Sequence, residues 1–456
     1  MTVRHRLLML SLGLAALALL LAGAVLAVLA TLSPGAGAWS LALSVSAFGQ
    51  RIGYTANVPV LLRLATHPLA ARALDGRHFD TAEGRWQIST ATAEGLVASC
   101  APCRVPVAAL GPAPLRLERV QLAIRADGAD HYHGSMRLGL APHTLSLAWR
   151  GRFDRSGRLQ LDATLPATPL QHVVQVFGTT LPERASVQVD GSLALSLGAR
   201  LPGGAWRVQP RIDGFAVSGL STERLLDLQR PAACRDGSPA GVSAIGGWLP
   251  RAVVAAEDQR FFDHPGYDLA AVAAAWLHNQ QPGSALAGAS TLSQQLAKLA
   301  IVGDDRSAAR KLRELLYAVE MERTLGKARI LQLYLALAPW GDGICGAERA
   351  VRVHLGQHDP SAIGPVAAAW LASLLPQPSA LLRMEQQRGE VDAERVARVL
   401  EAMRPMRPER RDKALAALPT WSPPGLSRPR HAPPHTALNL DIAVEPVPAL
   451  TPLHER

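Results

Sequence analysis

The 456-residue sequence predicts a multidomain chain: an N-terminal transmembrane helix, a β-rich antiparallel module, and a mainly α domain. Three observations carry this expectation. Residues 7–32 form an apolar and small-residue run without a single charge. Between 115 and 197 apolar residues recur at every second position, and from 249 onward at every third and fourth.

The uncharged run follows Arg4, His5 and Arg6. As a helix rising ~1.5 Å per residue it spans a ~30 Å hydrocarbon core with some tilt. Basic residues on its N-terminal side keep that end cytoplasmic, so 1–6 is a cytoplasmic stub and 7–32 the anchor. A cleavable signal peptide is the alternative, with Ala36-Gly37-Ala38 as small residues for cleavage. Its apolar core would be only ~7–15 residues, shorter than this run. An uncleaved anchor leaves the bulk outside the inner membrane, in the periplasm where the cell has one.

A net charge of +10 comes almost wholly from arginine, because the chain has only four lysines: Lys298, Lys311, Lys327 and Lys413. Basic chains can bind nucleic acid. No nucleic-acid motif accompanies the charge, however, and attraction to anionic headgroups or a polyanionic substrate fits better. Three of the four lysines fall between 298 and 327. A lysine ammonium is a compact charge suited to phosphate, although it also suits any exposed helix. Of the four cysteines, Cys100 and Cys103 have redox-motif spacing but no surrounding thioredoxin-like pattern, and no histidine follows for haem attachment. A local structural disulfide is expected, and Cys234 with Cys345 could tie a linker to the helical domain.

Residues 40–220 read as the β-rich module. Alternation over 115–124, 136–140, 145–149, 159–165 and 187–197, broken by Gly, Pro and Asp, marks half-buried antiparallel strands. Asp154-Arg155-Ser156-Gly157 and Asp190-Gly191 read as hairpin turns. A small helical portion is expected near 58–74. His131-Tyr132-His133 could offer metal ligands from one side of a strand, but a solvated turn is the better reading. Residues 221–244 form a linker. Helical spacing then runs through 270–277, 291–299, 308–325, 327–337 and 362–375, with Pro376 and Pro378 ending the last. One more amphipathic stretch covers 391–403. The Pro- and Arg-rich remainder, 404–456, looks poorly ordered by composition.

The most informative stretch is Glu257-Asp258-Gln259-Arg260-Phe261-Phe262-Asp263-His264-Pro265-Gly266, just after the apolar residues 253–256. A buried carboxylate there is costly unless it has partners. Three further stretches follow in order: Gly288-Ala289-Ser290-Thr291-Leu292-Ser293-Gln294-Gln295, Arg310-Lys311-Leu312-Arg313-Glu314, and Lys327-Ala328-Arg329-Ile330-Leu331-Gln332-Leu333-Tyr334-Leu335. Together, over 245–383, they resemble the glycosyltransferase domain of class A penicillin-binding proteins and monofunctional peptidoglycan transglycosylases. The resemblance implies a lysozyme-like helical fold that polymerises lipid II into glycan strands. No lysine here has a serine three residues before it, so the transpeptidase Ser-x-x-Lys is missing.

By this resemblance, Glu257 is the base for the acceptor hydroxyl and Glu314 the second catalytic glutamate. A base in a partly apolar pocket has its pKa raised toward neutrality, which suits proton abstraction. Read without the resemblance, Glu257 would be a carboxylate capping a helix end. Lys298, Arg310 and Lys311 would stabilise the departing pyrophosphate, although Arg310 and Lys311 also fit ordinary helix-surface ion pairs with Glu314. Ser290, Thr291, Gln294 and Gln295 would position sugar or phosphate oxygens; Ser290 or Thr291 also fits a helix N-cap. Asp258, Phe261, His264, Gly266 and Gly288 would shape the motif loops. No cofactor is obligatory, and the resemblance allows a divalent cation (Mg or Mn) at ligands the sequence does not name. The implied partners are lipid II, the growing strand, the inner membrane and other cell-wall synthesis proteins.

The family pattern is departed from in three places: Gln332 for glutamate, Ala336 for asparagine, and His354-Leu355-Gly356 for an ending in tyrosine-phenylalanine-glycine. The departures favour, as an alternative, a degenerate domain that binds glycan or lipid-linked precursor and scaffolds envelope assembly. A glycan-cleaving enzyme is a third reading, opposed by the cation cluster.

Overall fold

The computed structural model describes residues 39–47, 50–92, 95–105, 114–204, 206–227, 246–279, 281, 287–304, 307–424 and 426. The expected anchor, 7–32, lies outside them, as do most of the linker and Cys234. Among the described residues no helix is long and apolar enough to cross a membrane.

The first module is built on alternation. Strands β1 (Ser40–Ala47) and β2 (Gln50–Asn57) form a hairpin, and helices α1 (Val58–Thr66) and α2 (Pro68–Leu74) follow where the small helical portion is expected. A nine-stranded antiparallel sheet comes next. Its strands are β3 (His78–Thr81), β4 (Gly84–Thr92), β5 (Gly95–Cys100), β8 (Val120–Ala126), β9 (His131–Leu140), β10 (His143–Phe153), β11 (Leu159–Pro169), β12 (Gln188–Leu201) and β13 (Trp206–Ser218). Their spatial order is β13-β12-β11-β10-β9-β8-β5-β4-β3, a meander in which sequence neighbours pair. A short hairpin, β6 (Cys103–Val105) and β7 (Leu115–Leu117), interrupts the series, and the expected Cys100–Cys103 disulfide joins it to β5. Cys345 is also disulfide-bonded.

On β10, Leu145, Leu147, Trp149 and Phe153 point to one face, while Ser146, Ala148, Arg150 and Arg152 are exposed on the other. Helix α3 (Leu170–Phe177) covers the apolar face at one end, through Val173, Val176 and Phe177. Val58 and Leu62 of α1 cover it at the other end.

Two local readings are corrected. Asp190-Gly191 is a bulge inside β12, where the register shifts and Gly191 takes φ +95°, rather than a hairpin turn. His131-Tyr132-His133 begins β9 rather than forming a turn, with Tyr132 buried and His131 exposed. No metal-binding cluster occurs among the described residues.

The helical domain comprises α4 (Leu249–Glu257), α5 (Leu269–Asn279), α6 (Leu292–Ala297), α7 (Ala308–Thr324), α8 (Gly326–Leu337), α9 (Ala347–Leu355), α10 (Pro365–Leu374), α11 (Pro378–Arg388), α12 (Ala393–Ala402) and α13 (Pro408–Ala417). Helix α10 is buried on every side from Val366 to Leu374, and α4 and α12 pack on it. Residues 404–424 are folded, which corrects the expectation of a poorly ordered tail from 404. Helix α13 forms there, and Met406, Ala414, Leu418 and Leu426 are buried.

The two parts share one continuous core. Leu170, Val187, Val217, Leu220 and Leu225 from the module pack in the same cluster as the α4, α7 and α10 side chains. Helix α7 forms the seam. Arg313 donates to both Glu183 oxygens at 2.9 and 3.0 Å, and the Tyr317 hydroxyl donates to Glu183 at 3.1 Å. The Leu220 amide donates to buried Glu320 at 3.1 and 3.2 Å, and Thr222 and Thr324 hydroxyls meet at 2.7 Å. Residues 313, 317, 320 and 324 lie on one stripe of the helix.

Burial pushes the Glu183 carboxyl up, but its bonds to Arg313 and Tyr317 outweigh this and leave it below its ordinary value. A lowered folded-state pKa contributes stability above the unfolded value, lost as pH falls through the folded one. We expect Glu183→Ala to cost about 1–3 kcal/mol at pH 7, and less in acid. A double-mutant cycle with Arg313→Ala, followed by urea denaturation, measures the coupling; a value near zero would remove this pair from the seam.

Candidate active site

The site is assembled where α4 ends and α6 begins. Helix α4 stops at Glu257 because the next residue, Asp258, turns its carboxylate into the protein. Asp258 accepts from His264 Nε2 at 2.9 and 3.0 Å and from the Leu292 amide at 2.9 Å. The Gly266 amide donates to His264 Nδ1 at 3.2 Å, which places the ring proton on Nε2, toward Asp258. Gly266 has φ +93°, and a Cβ there would lie 3.0 Å from the Ala318 backbone, so a side chain is excluded. Phe261 is fully buried and anchors the loop.

Helix α6 starts with a capping box. The Thr291 hydroxyl accepts from the Gln294 amide at 3.2 Å, and the Gln294 side chain accepts from the Thr291 amide at 3.1 Å. Thr291 also donates to the Gly266 carbonyl at 2.7 Å. The Thr291 hydroxyl and the Gln294 side-chain carbonyl are therefore engaged in the helix cap, which fixes Ser290 and Gln295 on either side of it. Gly288 lies in the approach to this helix with open space around its Cα.

Two polar clusters result. In the first, Gln295 Nε2 donates to Glu257 Oε2 at 2.9 Å, and the Tyr334 hydroxyl donates to Gln295 Oε1 at 2.9 Å. Tyr334 orients the amide so that its N–H faces the carboxylate. Glu257 Oε1 is buried and has no hydrogen-bond partner among the described residues. Burial raises the Glu257 pKa from its ordinary value; the Gln295 bond opposes this and the Asp258 charge adds to it. Burial, with the Glu257 charge, also pushes the Tyr334 phenol well up, so it stays a donor.

In the second cluster, buried Glu314 on α7 is paired with Arg310 and, at 2.8 Å, with Lys311. The Lys311 ammonium also donates to Ser290 at 2.9 Å, tying the segment before α6 to α7. The Ser307 hydroxyl caps α7 by accepting from the Arg310 amide at 3.1 Å. Lys298 begins a five-residue π turn, Lys298–Val302, and pairs with Asp304 at 3.2 Å. Such turns break helical register and recur at functional sites.

The four motifs thus converge in space. Sequence reasoning missed the role of Tyr334. A signal was available: it lies among the buried inner positions of α8, where a hydroxyl needs a partner. Lys327 is corrected from a phosphate-suited cation. Its ammonium donates to the His264 carbonyl at 2.6 Å and to Glu322 at 2.8 Å, and stacks 4.4 Å from the Phe261 ring centre.

Removing the Asp258 carboxylate would leave His264 and the Leu292 amide buried without an acceptor. Asp258→Ala should therefore cost at least about 2–3 kcal/mol in urea unfolding. A loss below ~0.5 kcal/mol would show that the loop does not depend on it.

Comparison with known proteins agrees with this geometry. A family model described as Transglycosylase matches residues 230–404. A biosynthetic peptidoglycan transglycosylase of Nitrosomonas eutropha is 38% identical over 174 residues, which cover 38% of this chain and 70% of that protein. Its namesake in Nitrosomonas europaea is 41% identical over the same length and shares. That of Rhodospirillum centenum is 49% identical over 138 residues, 30% of this chain and 58% of the relative. With Glu257 and Glu314 each held in a cluster built from those matched residues, the chain belongs to the peptidoglycan transglycosylase family.

Proposed function

We propose that the protein polymerises glycan strands from lipid II by inverting transfer, and that it does so from the outer face of the inner membrane. The carrying observation is the Glu257 carboxylate: one oxygen is held by Gln295, the other is buried and unpartnered, and burial raises its pKa. Such a group is poised to take a proton. Glu257 removes the proton of the acceptor 4-hydroxyl, whose oxygen attacks C1 of the lipid-linked donor. The C1–O bond breaks and the pyrophosphate leaves with the electron pair.

Lys298, Arg310 and Lys311 are the side chains we assign to the developing charge on that leaving group. Glu314 fixes Arg310 and Lys311, and Ser290 receives the Lys311 ammonium. Glu314 and Asp258 offer no free oxygen to a divalent cation. Both Glu314 oxygens face cations, and both Asp258 oxygens accept protein hydrogen bonds. We assign any Mg or Mn to the substrate pyrophosphate. The uncharged run 7–32 supports a single-pass anchor with the bulk in the periplasm, where a membrane-bound substrate meets the enzyme at raised effective concentration. Other cell-wall synthesis proteins are the partners this setting suggests. The missing Ser-x-x-Lys supports a monofunctional enzyme.

Glu257→Gln should lower polymerisation of purified lipid II by detergent-solubilised protein about 10²–10⁴-fold. Product from both forms would remove Glu257 as the base. Product from neither, where a known polymerase works, would support a glycan-binding scaffold.

The pH profile tests the Tyr334–Gln295 relay. A raised carboxyl is the active base only above its pKa, so the acid limb should lie above the ordinary ~4.3 of glutamate. The Gln295 bond lowers that pKa, so Gln295→Ala should move the acid limb to higher pH. Tyr334→Phe should shift it the same way by a smaller amount. Unmoved limbs would leave the relay a packing feature.

A further inference from the structure

The helical domain accounts for all four motifs and leaves a large surface unused, the face of the nine-stranded sheet opposite the one that the described helices α1 and α3 cover. Residues directly opposed in an antiparallel pair share a face. The register therefore sets His133, Arg150 and Asp162 side by side in one row across β9, β10 and β11. The adjacent row holds His131, Arg152, Gln160 and, on β12, Arg200. In the first row Gly198 follows Asp162, and a Cβ there would lie 3.4 Å from both the Asp162 carboxylate and the Arg207 guanidinium. The absence of a side chain brings that carboxylate and Arg207 to the same spot. Arg150, Arg152 and Arg200 are exposed.

A hollow of about 830 Å³ opens on this face, lined by Asp127 and Asp162 as well as Arg150, Arg152, Gln160 and the two histidines. This is within the size range of small-ligand sites. A concave floor does not suit a flat bilayer. Two carboxylates repel a polyphosphate but accept hydrogen bonds from sugar hydroxyls. The arginines in and beside the hollow fit carboxylates, which they grip bidentately. Hydroxyls and carboxylates together describe a peptide-bearing glycan strand, the product of the reaction proposed above.

We propose that this sheet face is a second glycan-binding site, which holds the carboxylate-bearing strand outside the catalytic groove; the choice of strand rests on the proposed polymerase reading. The seam along α7 joins the module to the catalytic helices, so a held strand stays on the enzyme that extends it. Losing this site should lower the length of product per binding event, not the rate of the first transfers.

The test uses the full-length detergent-solubilised protein and the double variant Arg150→Glu/Arg152→Glu, with Arg150→Gln/Arg152→Gln as the milder pair and circular dichroism as the check on folding. Binding is measured by co-sedimentation with uncrosslinked glycan strands carrying stem peptides, the same strands stripped of peptides, and phosphatidylglycerol vesicles. The parent should bind intact strands at least about tenfold more tightly than either variant, and more tightly than stripped strands. The variants should make shorter product at an unchanged initial rate. Equal strand binding by parent and folded variants would overturn the proposal. So would a loss confined to vesicles, which would make the face a membrane-binding surface. Strand binding by Glu257→Gln protein separates the two readings: it should persist even if the polymerase assignment fails.

Discussion

Asp258 is the contact on which the site depends. Its carboxylate joins the loop after α4 to the first amide of α6, across 34 residues of sequence. It also takes the proton-bearing nitrogen of His264. Glu257 precedes it in the chain, and Gln295 lies one turn into the helix it fastens. Glu257 and the Gln295 amide that donates to it are thus positioned by a single buried acceptor. A carboxylate in that place is costly unless its lone pairs are used. Here His264 and the Leu292 amide use them.

Helix α7 extends this constraint outward. Adjacent residues Arg313 and Glu314 face different ways: one grips Glu183 of the module, the other holds Arg310 and Lys311 at the site. The core is continuous across the seam, so the sheet module acts as a brace for α7. Local opening of the seam would need Leu220, Glu320 and Thr324 to part together. Buried Glu320 has its pKa raised, first by burial, with the Leu220 amide opposing. Its charged form is therefore costly, and two backbone-directed contacts offset only part of that cost.

Much of this was legible in the sequence because short-range periodicity and motif order are local properties. The strand alternation on β10, the helical spacing from 249 and the Cys100–Cys103 bridge needed no tertiary knowledge. What was not legible depended on partners distant in sequence. Asp190-Gly191 has turn composition, yet continued pairing of β12 with β13 makes it a bulge. Residues 404–426 look like a tail by their Pro and Arg content, but Met406 and Leu418 find a core to enter. Lys327 reads only as one of three clustered lysines suited to phosphate, until its carbonyl and carboxylate partners are seen. Tyr334 lay inside a quoted motif, and only the fold shows that its hydroxyl reaches Gln295.

Each of the three departures from the family pattern is accommodated locally. The Gln332 carbonyl accepts from Arg329 at 2.9 Å, and the same guanidinium donates to the Leu225 carbonyl at 3.2 Å. The lost carboxylate thus falls on a guanidinium that also reaches the end of the module. Ala336 is buried on the inner side of α8, where a small apolar residue requires no hydrogen bond and an asparagine amide would. His354 keeps an aromatic ring edge-on to Trp370 at 6.0 Å, and its Nε2 meets the Trp340 carbonyl at 2.8 Å. Burial lowers its pKa, so the ring is held neutral and can serve as packing. Drift at the helix seams and the α9–α10 contact leaves the Glu257–Gln295–Tyr334 and Glu314–Lys311–Ser290 connections in place. Those connections, rather than the number of matching motif letters, hold the two glutamates in place.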